Sequence, residues 1–387
     1  MPIHLKVQRE GGWMLYCWHG MRLRAWLGLL RRGRFRVTPN CLPMIVTVTL
    51  VSLLNSLLYR LSELIYRRRA EATEFTEPPI FVIGHWRSGT TLLHELLTCD
   101  PVNGYCDVHQ ALFPNQFIMT DRFVGRWFNI FLPKRRPMDR MRISVNKPQE
   151  DEFALCNLGL PSPYLTMAFP RQGPSCAEYL TLHDIDASDR QRWCDRFLWY
   201  MKRLAYQEQR RGKRRLVLKS PTHTARIRTL LELFPDAKFI YIARNPYEVF
   251  GSTMRLWKSM NSVQGLQNPA HDDAWLRDDV LDTFARMDAA YQADRGLIPE
   301  GNLVELRFEQ VTRDPRQALL DLYQQFGIKV SDALQANLDG YVTATSDHIR
   351  NQLQMAPDDI AAIRQQWGGY IERFGYTDAP LQTSPSV

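Results

Sequence analysis

The chain has 387 residues and a net charge of +8, with 45% hydrophobic and 23% charged residues. This balance is ordinary for a soluble globular protein with one large or two smaller cores, and the absence of internal repeats excludes a solenoid or a propeller. The seven cysteines are scattered and form no CxxC pair. They indicate buried free thiols in a reducing compartment and neither a disulfide framework nor a metal site.

The positive charge is concentrated near the N-terminus. No Asp or Glu occurs between Gly11 and Ser62. The same span contains seven arginines: Arg22, Arg24, Arg31, Arg32, Arg34, Arg36 and Arg60. Because Leu, Trp and Phe are interleaved with these arginines, the pattern suits a lipid surface better than nucleic acid, and no nucleic-acid partner is expected.

The apolar run Leu42–Leu61 follows, and its length is borderline for a membrane span, which needs about 20 residues. Polar residues recur through it at three- and four-residue spacing and predict a polar stripe along a helix: Thr49, Ser52, Asn55, Ser56, Tyr59 and Glu63. Three arrangements stay open, in which the amphipathic helix packs on the domain, lies in a membrane surface or spans the membrane.

The predicted organisation is a basic, amphipathic helical extension over residues 1–77 and a domain over residues 78–387. A cleaved signal peptide is not expected, because the apolar run begins after residue 40. The expected location is the cytoplasm, and the helix leaves open a peripheral position at the inner face of the membrane.

Four short apolar runs after Pro78 predict strands. They are "PPIFVIG" (78–84), "RRLVLKSP" (214–221), "AKFIYIARNP" (237–246) and "GNLVELRFE" (301–309). Strands that alternate with helices predict an α/β fold, a single parallel-sheet, P-loop-like domain covered by helices on both faces. In such a sheet ligands bind at the carboxyl ends of the strands.

The loop "HWRSGTT" after the first strand has the glycine spacing of a phosphate loop. Four residues separate Gly84 from Gly89, but the basic residue is Arg87 inside the loop and not a lysine after it. The next two strands end in Lys219 and Arg244, where a kinase would place an acidic residue to hold magnesium. The strand ends therefore predict an anion site without a metal. The alternatives are a nucleotide kinase or other phosphotransferase, and a non-catalytic, membrane-associated nucleotide-binding protein.

Residues 78–376 resemble the sulfotransferases that use 3′-phosphoadenosine 5′-phosphosulfate (PAPS), in particular their large bacterial branch. The motifs are "GHWRSGTTLLHELL", "LVLKSPTHTARIRTLLELFPDAKFIYIARNPYEVFGST" and "NLVELRFEQVTRDP". The resemblance implies an enzyme that transfers a sulfuryl group from PAPS to a hydroxyl or amine.

The resemblance also implies residue roles. The first motif would bind the 5′-phosphosulfate end through Arg87, Ser88, Gly89, Thr90 and Thr91. Arg244 and Ser252, eight residues apart, would bind the 3′-phosphate, although the family more often has Asp at the position of Asn245. Arg350, in a late polar loop, is a weaker candidate for the same phosphate.

Catalysis requires a cation at the leaving oxygen and a base for the acceptor. Lys219, which ends the second predicted strand, is the candidate cation. Some members of the family have a histidine two residues after this lysine, but this chain has Pro221 there. The base candidates are therefore Glu152 or Glu150 in the "QEDEF" run, followed by His109 and His223.

The acceptor pocket is predicted within residues 101–210, which contain most of the aromatic and proline-rich segments. Their apolar character favours a lipid-like, sterol-like or polyketide hydroxyl over a charged glycan. Arg307 and Glu309, at the end of the last predicted strand, are either a structural ion pair or part of the site.

Overall fold

The computed structural model describes residues 15–121, 146–269, 274–344 and 355–376. They form two compact units. The first unit combines Met1–Glu74, Cys106–Gln207 and Arg255–Trp275. The second combines Phe75–Tyr105, Glu208–Met254 and Leu276–Val387.

The described residues contain five strands: β1 Ile80–Ile83, β2 Asn103–Tyr105, β3 Arg215–Lys219, β4 Lys238–Ala243 and β5 Leu303–Arg307. They also contain thirteen α-helices: α1 Leu23–Arg32, α2 Leu42–Glu71, α3 Thr90–Leu97, α4 Val108–Leu112, α5 Asp151–Asn157, α6 Ala187–Arg210, α7 Ile227–Leu233, α8 Pro246–Gln264, α9 Ala274–Asp294, α10 Phe308–Arg313, α11 Pro315–Gln325, α12 Asp332–Ala344 and α13 Pro357–Phe374.

The five strands form one parallel sheet in the second unit, in the order β2-β3-β1-β4-β5. The predicted α/β fold with a parallel sheet is therefore confirmed. The four predicted strands are present, and β2 is an additional edge strand. Its sequence, Asn-Gly-Tyr, has no apolar run, so its pairing with β3 depends on the sheet and not on local preference.

Alternate residues of the central strands face opposite sides of the sheet. On one side Val82 and Ile240 join a buried cluster with Leu96 of α3, Leu322 of α11 and Leu338 of α12. On the other side, the Tyr241 ring stacks on Tyr291 of α9 at 4.1 Å and on Phe374 of α13 at 5.7 Å. Helices thus cover both faces, which explains why the strand sequences are apolar at consecutive positions.

In the first unit, the predicted amphipathic helix is present as α2 and packs on that unit through its polar stripe. The Asn55 amide donates to the carbonyl oxygens of His19 at 2.7 Å and Met21 at 3.0 Å. The Trp26 indole donates to the Thr49 hydroxyl at 2.9 Å. Ser52 and Asn55 are at most 2% exposed. The polar side of the helix therefore faces the protein. The boundary between residues 77 and 78 stays a prediction.

All seven cysteines lie among the described residues, and they are buried and free of disulfides. This agrees with the predicted buried thiols. Burial raises the pKa of the Cys156 thiol well above its usual value, which keeps this side chain protonated and unreactive.

Candidate active site

The loop between β1 and α3 connects a buried strand to a helix through a sharp turn. Gly84 has φ +140° and Gly89, the residue before α3, has φ +109°. Arg87 also has a positive φ, of 68°. Non-glycine residues in this region are uncommon and cluster at functional sites. The loop is tied to the turn after β3, because Gly84 N donates to the Thr224 hydroxyl at 2.7 Å and that hydroxyl donates to Gly84 O at 3.1 Å.

Packing also requires glycine in this loop. A Cβ atom on Gly89 would lie 2.3 Å from the Phe308 ring, and one on Gly84 would lie 2.7 Å from the carbonyl oxygen of Ile242. Both approaches are too short for a side chain to be accommodated without displacing the neighbour. The glycines thus let the loop lie directly against β4 and the residue that follows β5.

Ser88 is a buried polar residue of the loop, two residues before the start of α3. Ser88 is 1% exposed, and its hydroxyl oxygen has no hydrogen-bond partner in the part of the chain that the structure describes. A buried hydroxyl without a partner costs roughly 1–3 kcal/mol. Phosphate or sulfate oxygens at the N-terminus of α3 would satisfy this hydroxyl and accept from the backbone amides there. The residues present therefore fit an anionic group.

Arg87, Ser252 and Arg244 are brought together by contacts within the second unit. Arg87 Nε donates to Ser252 Oγ at 2.9 Å, and Arg244 Nη1 donates to the Arg87 carbonyl oxygen at 3.0 Å. The resemblance assigns Arg87 to one end of the sulfuryl donor and the other two residues to the opposite end. The contacts show that the two sets of residues adjoin. Their roles stay predictions.

The Arg244 guanidinium is held on several sides. It donates to Glu248 Oε2 from Nε at 3.0 Å and from Nη2 at 2.6 Å, and it lies 4.2 Å above the Phe308 ring centre. Its backbone N–H donates to the Tyr370 hydroxyl at 2.9 Å. These contacts fix the planar side chain of Arg244, which directly follows β4.

Lys219 is the last residue of β3 and is 2% exposed. In the sheet it pairs with Val82, two residues before Gly84, so it lies at the same edge as the loop. His223, in the turn Pro221–Ala225, is fully buried, and its ring lies edge-on to Phe81 at 5.5 Å. The second unit therefore contains the predicted cation and one of the four candidate bases.

His85 is a loop residue that the sequence reasoning did not select. Its Nδ1–H donates to Trp86 O at 2.9 Å, and its Nε2 has no partner among the described residues. The ring lies 4.8 Å from the Phe284 ring. Burial lowers the His85 pKa to about 4, which keeps the imidazole neutral at physiological pH. Its position next to Gly84 was the only sequence signal for a role in the loop.

The other candidate bases lie in the first unit. Glu150 precedes α5 and accepts a hydrogen bond from the Tyr164 hydroxyl. Glu152 is fully buried and accepts from the Ser162 hydroxyl at 2.5 Å. His109 in α4 is 3% exposed, and its Nε2 lies 3.0 Å from the Thr120 hydroxyl. Each carboxylate thus has a hydroxyl partner, and none of the four is singled out as the base.

Two weaker candidates have different outcomes. Arg307 and Glu309 form an ion pair of 3.9 Å, and Glu309 also accepts from the Asn245 backbone N–H at 3.3 Å and from the Tyr376 hydroxyl at 2.8 Å. The pair therefore supports the backbone beside Arg244, in line with the structural alternative. Arg350 lies outside the described residues.

Comparison with known proteins decides the family. Residues 78–332 match a family model described as the sulfotransferase family. The chain belongs to this family. It is 36% identical over 385 residues to the omega-hydroxy-beta-dihydromenaquinone-9 sulfotransferase Stf3 of Mycobacterium bovis, and equally to that of Mycobacterium tuberculosis. These alignments cover 99% of this chain and 97% of each relative, which confirms the prediction of a sulfotransferase enzyme.

Solved sulfotransferases have a similar fold. The sulfotransferase STF9 of Mycobacterium avium superposes with a TM-score of 0.67 at 19% identity, over 93% of both chains. STF1 of Mycobacterium tuberculosis H37Rv superposes with a TM-score of 0.63 at 18% identity, over 90% of this chain and 92% of its own. The fold of this sulfotransferase thus extends over most of the chain.

Proposed function

We propose that this sulfotransferase takes its sulfuryl group from PAPS and transfers it to a hydroxyl group on a long apolar acceptor of the isoprenoid-quinone class. The observation that carries the proposal is the chain of contacts from Ser252 through Arg87 to Arg244, next to the unpartnered hydroxyl of Ser88. Two arginines and one hydroxyl in contact, with the unpartnered Ser88 hydroxyl one residue after Arg87 and close to a helix N-terminus, suit a nucleotide with two separate phosphate groups.

Different residues of the second unit would bind PAPS and stabilise the charge that forms during transfer. Arg87, Ser88 and the amides at the start of α3 would hold the 5′ end, and Arg244 and Ser252 would hold the 3′-phosphate. PAPS supplies an activated sulfuryl group bound through a phosphate oxygen. Lys219 would stabilise the negative charge that builds up on that oxygen when the bond breaks, as preorganised cations do in related group transfers.

The acceptor class rests on the mycobacterial relatives and on the first unit. The name of those relatives specifies a terminal hydroxyl on a menaquinone, which is a lipid, and this chain matches them over nearly its full length. In the first unit, the Tyr164 ring packs against Trp257 at 5.7 Å and Phe153 at 5.2 Å. Aromatic residues of this kind suit a prenyl chain and a quinone ring better than a charged glycan.

A ligand-binding experiment tests the choice of PAPS. Adenosine 3′,5′-bisphosphate should raise the unfolding temperature without magnesium, because a ligand at 100 times its Kd stabilises the folded state by about 2.7 kcal/mol. ATP, which lacks the 3′-phosphate, should raise it much less. Arg244→Ala should remove this preference, whereas the exposed Arg313→Ala serves as the matched control. Equal shifts with both nucleotides, or a shift that needs magnesium, would contradict the proposal.

The acceptor is tested separately by turnover. With labelled PAPS, an omega-hydroxylated isoprenoid quinone should gain one sulfuryl group, whereas the same quinone without the hydroxyl should gain none. Transfer to a polar glycan and not to the quinone would keep PAPS as the source of the sulfuryl group and refute the acceptor class.

A further inference from the structure

Helix α2 presents an unusually apolar surface to solvent. Of the twelve large hydrophobic side chains exposed among the described residues, nine lie on this helix. We name them the leucine face: Leu42, Val46, Leu50, Leu53, Leu54, Leu57, Leu61, Leu64 and Ile65. They are between 40% (Leu61) and 84% (Leu64) exposed and recur at three- and four-residue spacing, so they line one side of the helix.

The opposite side of α2 is polar and buried, which reverses the polarity of a helix on the surface of a soluble domain. Ser52, Asn55 and Ser62 are at most 4% exposed. The Asn55 side chain also accepts from the Gln116 amide at 2.8 Å, and the Leu23 backbone N–H donates to the Ser56 hydroxyl at 3.0 Å. The polar groups are therefore satisfied by the protein, whereas the leucine face lies on the outside, as expected of a membrane or partner contact.

The contacts of α2 with α6 favour a helix that lies in the membrane surface over a helix that crosses the membrane. Residues Pro39–Glu71 form a helix long and apolar enough to span a bilayer by length and composition. However, Glu63 pairs with Arg203 at 2.5 Å, and the Glu71 carbonyl accepts from Lys202 Nζ at 2.8 Å. A spanning α2 would carry these charges of α6 into the hydrocarbon core, where they are costly. The helix is thus suited to lie along a membrane surface.

The charges beside the leucine face specify the type of lipid. Arg60 and Arg68 are exposed on α2. Its only acidic residues are Glu63, paired with Arg203, and Glu71, paired with Arg67 at 3.0 Å. A second copy of the chain would bring arginines against arginines, without acidic groups to compensate. An anionic lipid surface supplies the missing negative charge.

We propose that α2 docks on an anionic membrane, with the leucine face at the boundary of the acyl chains and with Arg60 and Arg68 at the headgroups. The proposal goes beyond the sulfotransferase reaction and does not depend on it. It assigns a membrane-surface role to a helix outside the residues that match the family model.

Vesicle sedimentation tests the leucine face. The full chain should bind vesicles of phosphatidylglycerol mixed with phosphatidylcholine, and the triple variant Leu50→Gln/Leu57→Gln/Leu64→Gln should lose at least about tenfold in partitioning, because interfacial binding scales with buried apolar area. Leu297→Gln is the matched control, since Leu297 is 46% exposed in the second unit. Unchanged circular dichroism and thermal unfolding would show that the triple variant is folded.

A second variant tests the arginines. Arg60→Gln/Arg68→Gln should weaken binding to the anionic vesicles by roughly fivefold per arginine and leave binding to pure phosphatidylcholine vesicles unchanged. Equal partitioning of the wild type and the triple leucine variant would overturn the proposal. So would a wild-type dimer that the triple variant dissociates, if no vesicle binding occurs, because the leucine face would then bind a second copy.

Discussion

The loop after β1 and helix α2 differ in which of their side chains lack a contact with the rest of the protein. In the loop, Ser88 Oγ and His85 Nε2 are buried polar atoms without a hydrogen bond from the described residues. On α2 the buried polar groups, such as the Asn55 amide, are satisfied, and the apolar side chains are the ones left in contact with water. The two proposals follow from this difference, because an anion would supply hydrogen bonds to the loop and a lipid surface would cover the apolar side of the helix.

The difference also shows how much burial alone reveals about function. Both regions contain polar residues with less than 10% exposure. Burial of Asn55 has little effect on the free energy of folding, whereas burial of the Ser88 hydroxyl destabilises the folded state. What separates them is whether hydrogen bonds replace those lost to water. At Ser88 the missing hydrogen bond, and not burial by itself, distinguishes the loop from the buried polar side of α2.

The largest expected effect is that of Lys219→Met. If Lys219 stabilises charge mainly in the transition state, turnover should fall on the order of a hundredfold or more, as when an oxyanion donor is lost. Binding of adenosine 3′,5′-bisphosphate should be retained. Turnover and nucleotide affinity are measured on the same preparation, with the exposed Lys329→Met as control. Full activity of Lys219→Met would show that the cation at the strand end is not part of the chemistry.

A pair of substitutions tests the reversed polarity of α2. Asn55→Leu should destabilise the protein by about 2–3 kcal/mol, because it leaves the carbonyl oxygens of His19 and Met21 and the Gln116 amide without their partner. Leu57→Asn, at a residue that is 56% exposed, should change stability by less than about 0.5 kcal/mol. Denaturant unfolding measures both values. A stable Asn55→Leu beside an unstable Leu57→Asn would mean that the helix faces the other way.

The smallest effect concerns His85 and pH. Its pKa is lowered from 6.5 to about 4 by burial, so the unfolded chain takes up a proton at a higher pH than the folded protein does. The contribution of the neutral His85 to stability is therefore present above pH 6.5 and is lost as the pH drops towards 4, with a loss of about 2 kcal/mol between pH 7 and pH 5.

Chemical unfolding at several pH values measures this loss. His85→Asn should flatten that part of the pH profile, whereas the exposed His183→Gln should not. A profile that His85→Asn leaves unchanged would show that His85 titrates normally and is not buried as a neutral imidazole.

The sequence predicted the features that depend on local patterns. A stretch of a few residues is enough to recognise the apolar strands, the glycines at 84 and 89, and the cations at the strand ends. The predicted polar stripe of α2 was also real, but its direction depends on distant partners such as Gln116 and Arg203. For the same reason Glu150 and Glu152 could not be ranked as bases, since their partners Tyr164 and Ser162 lie outside the motif.

The position of β1 in the sheet has a consequence for biosynthesis. Ile80 of β1 pairs with Val217 of β3 and with Lys238 of β4. A ribosome adds about 5–20 residues per second, so roughly 10 s pass between the appearance of β1 and that of its first neighbour from β3. During this interval a fully apolar strand has no native partner in the sheet. Strand β1 therefore cannot take its place in the sheet until β3 has been synthesised, and the loop that follows β1 cannot reach its native position before then.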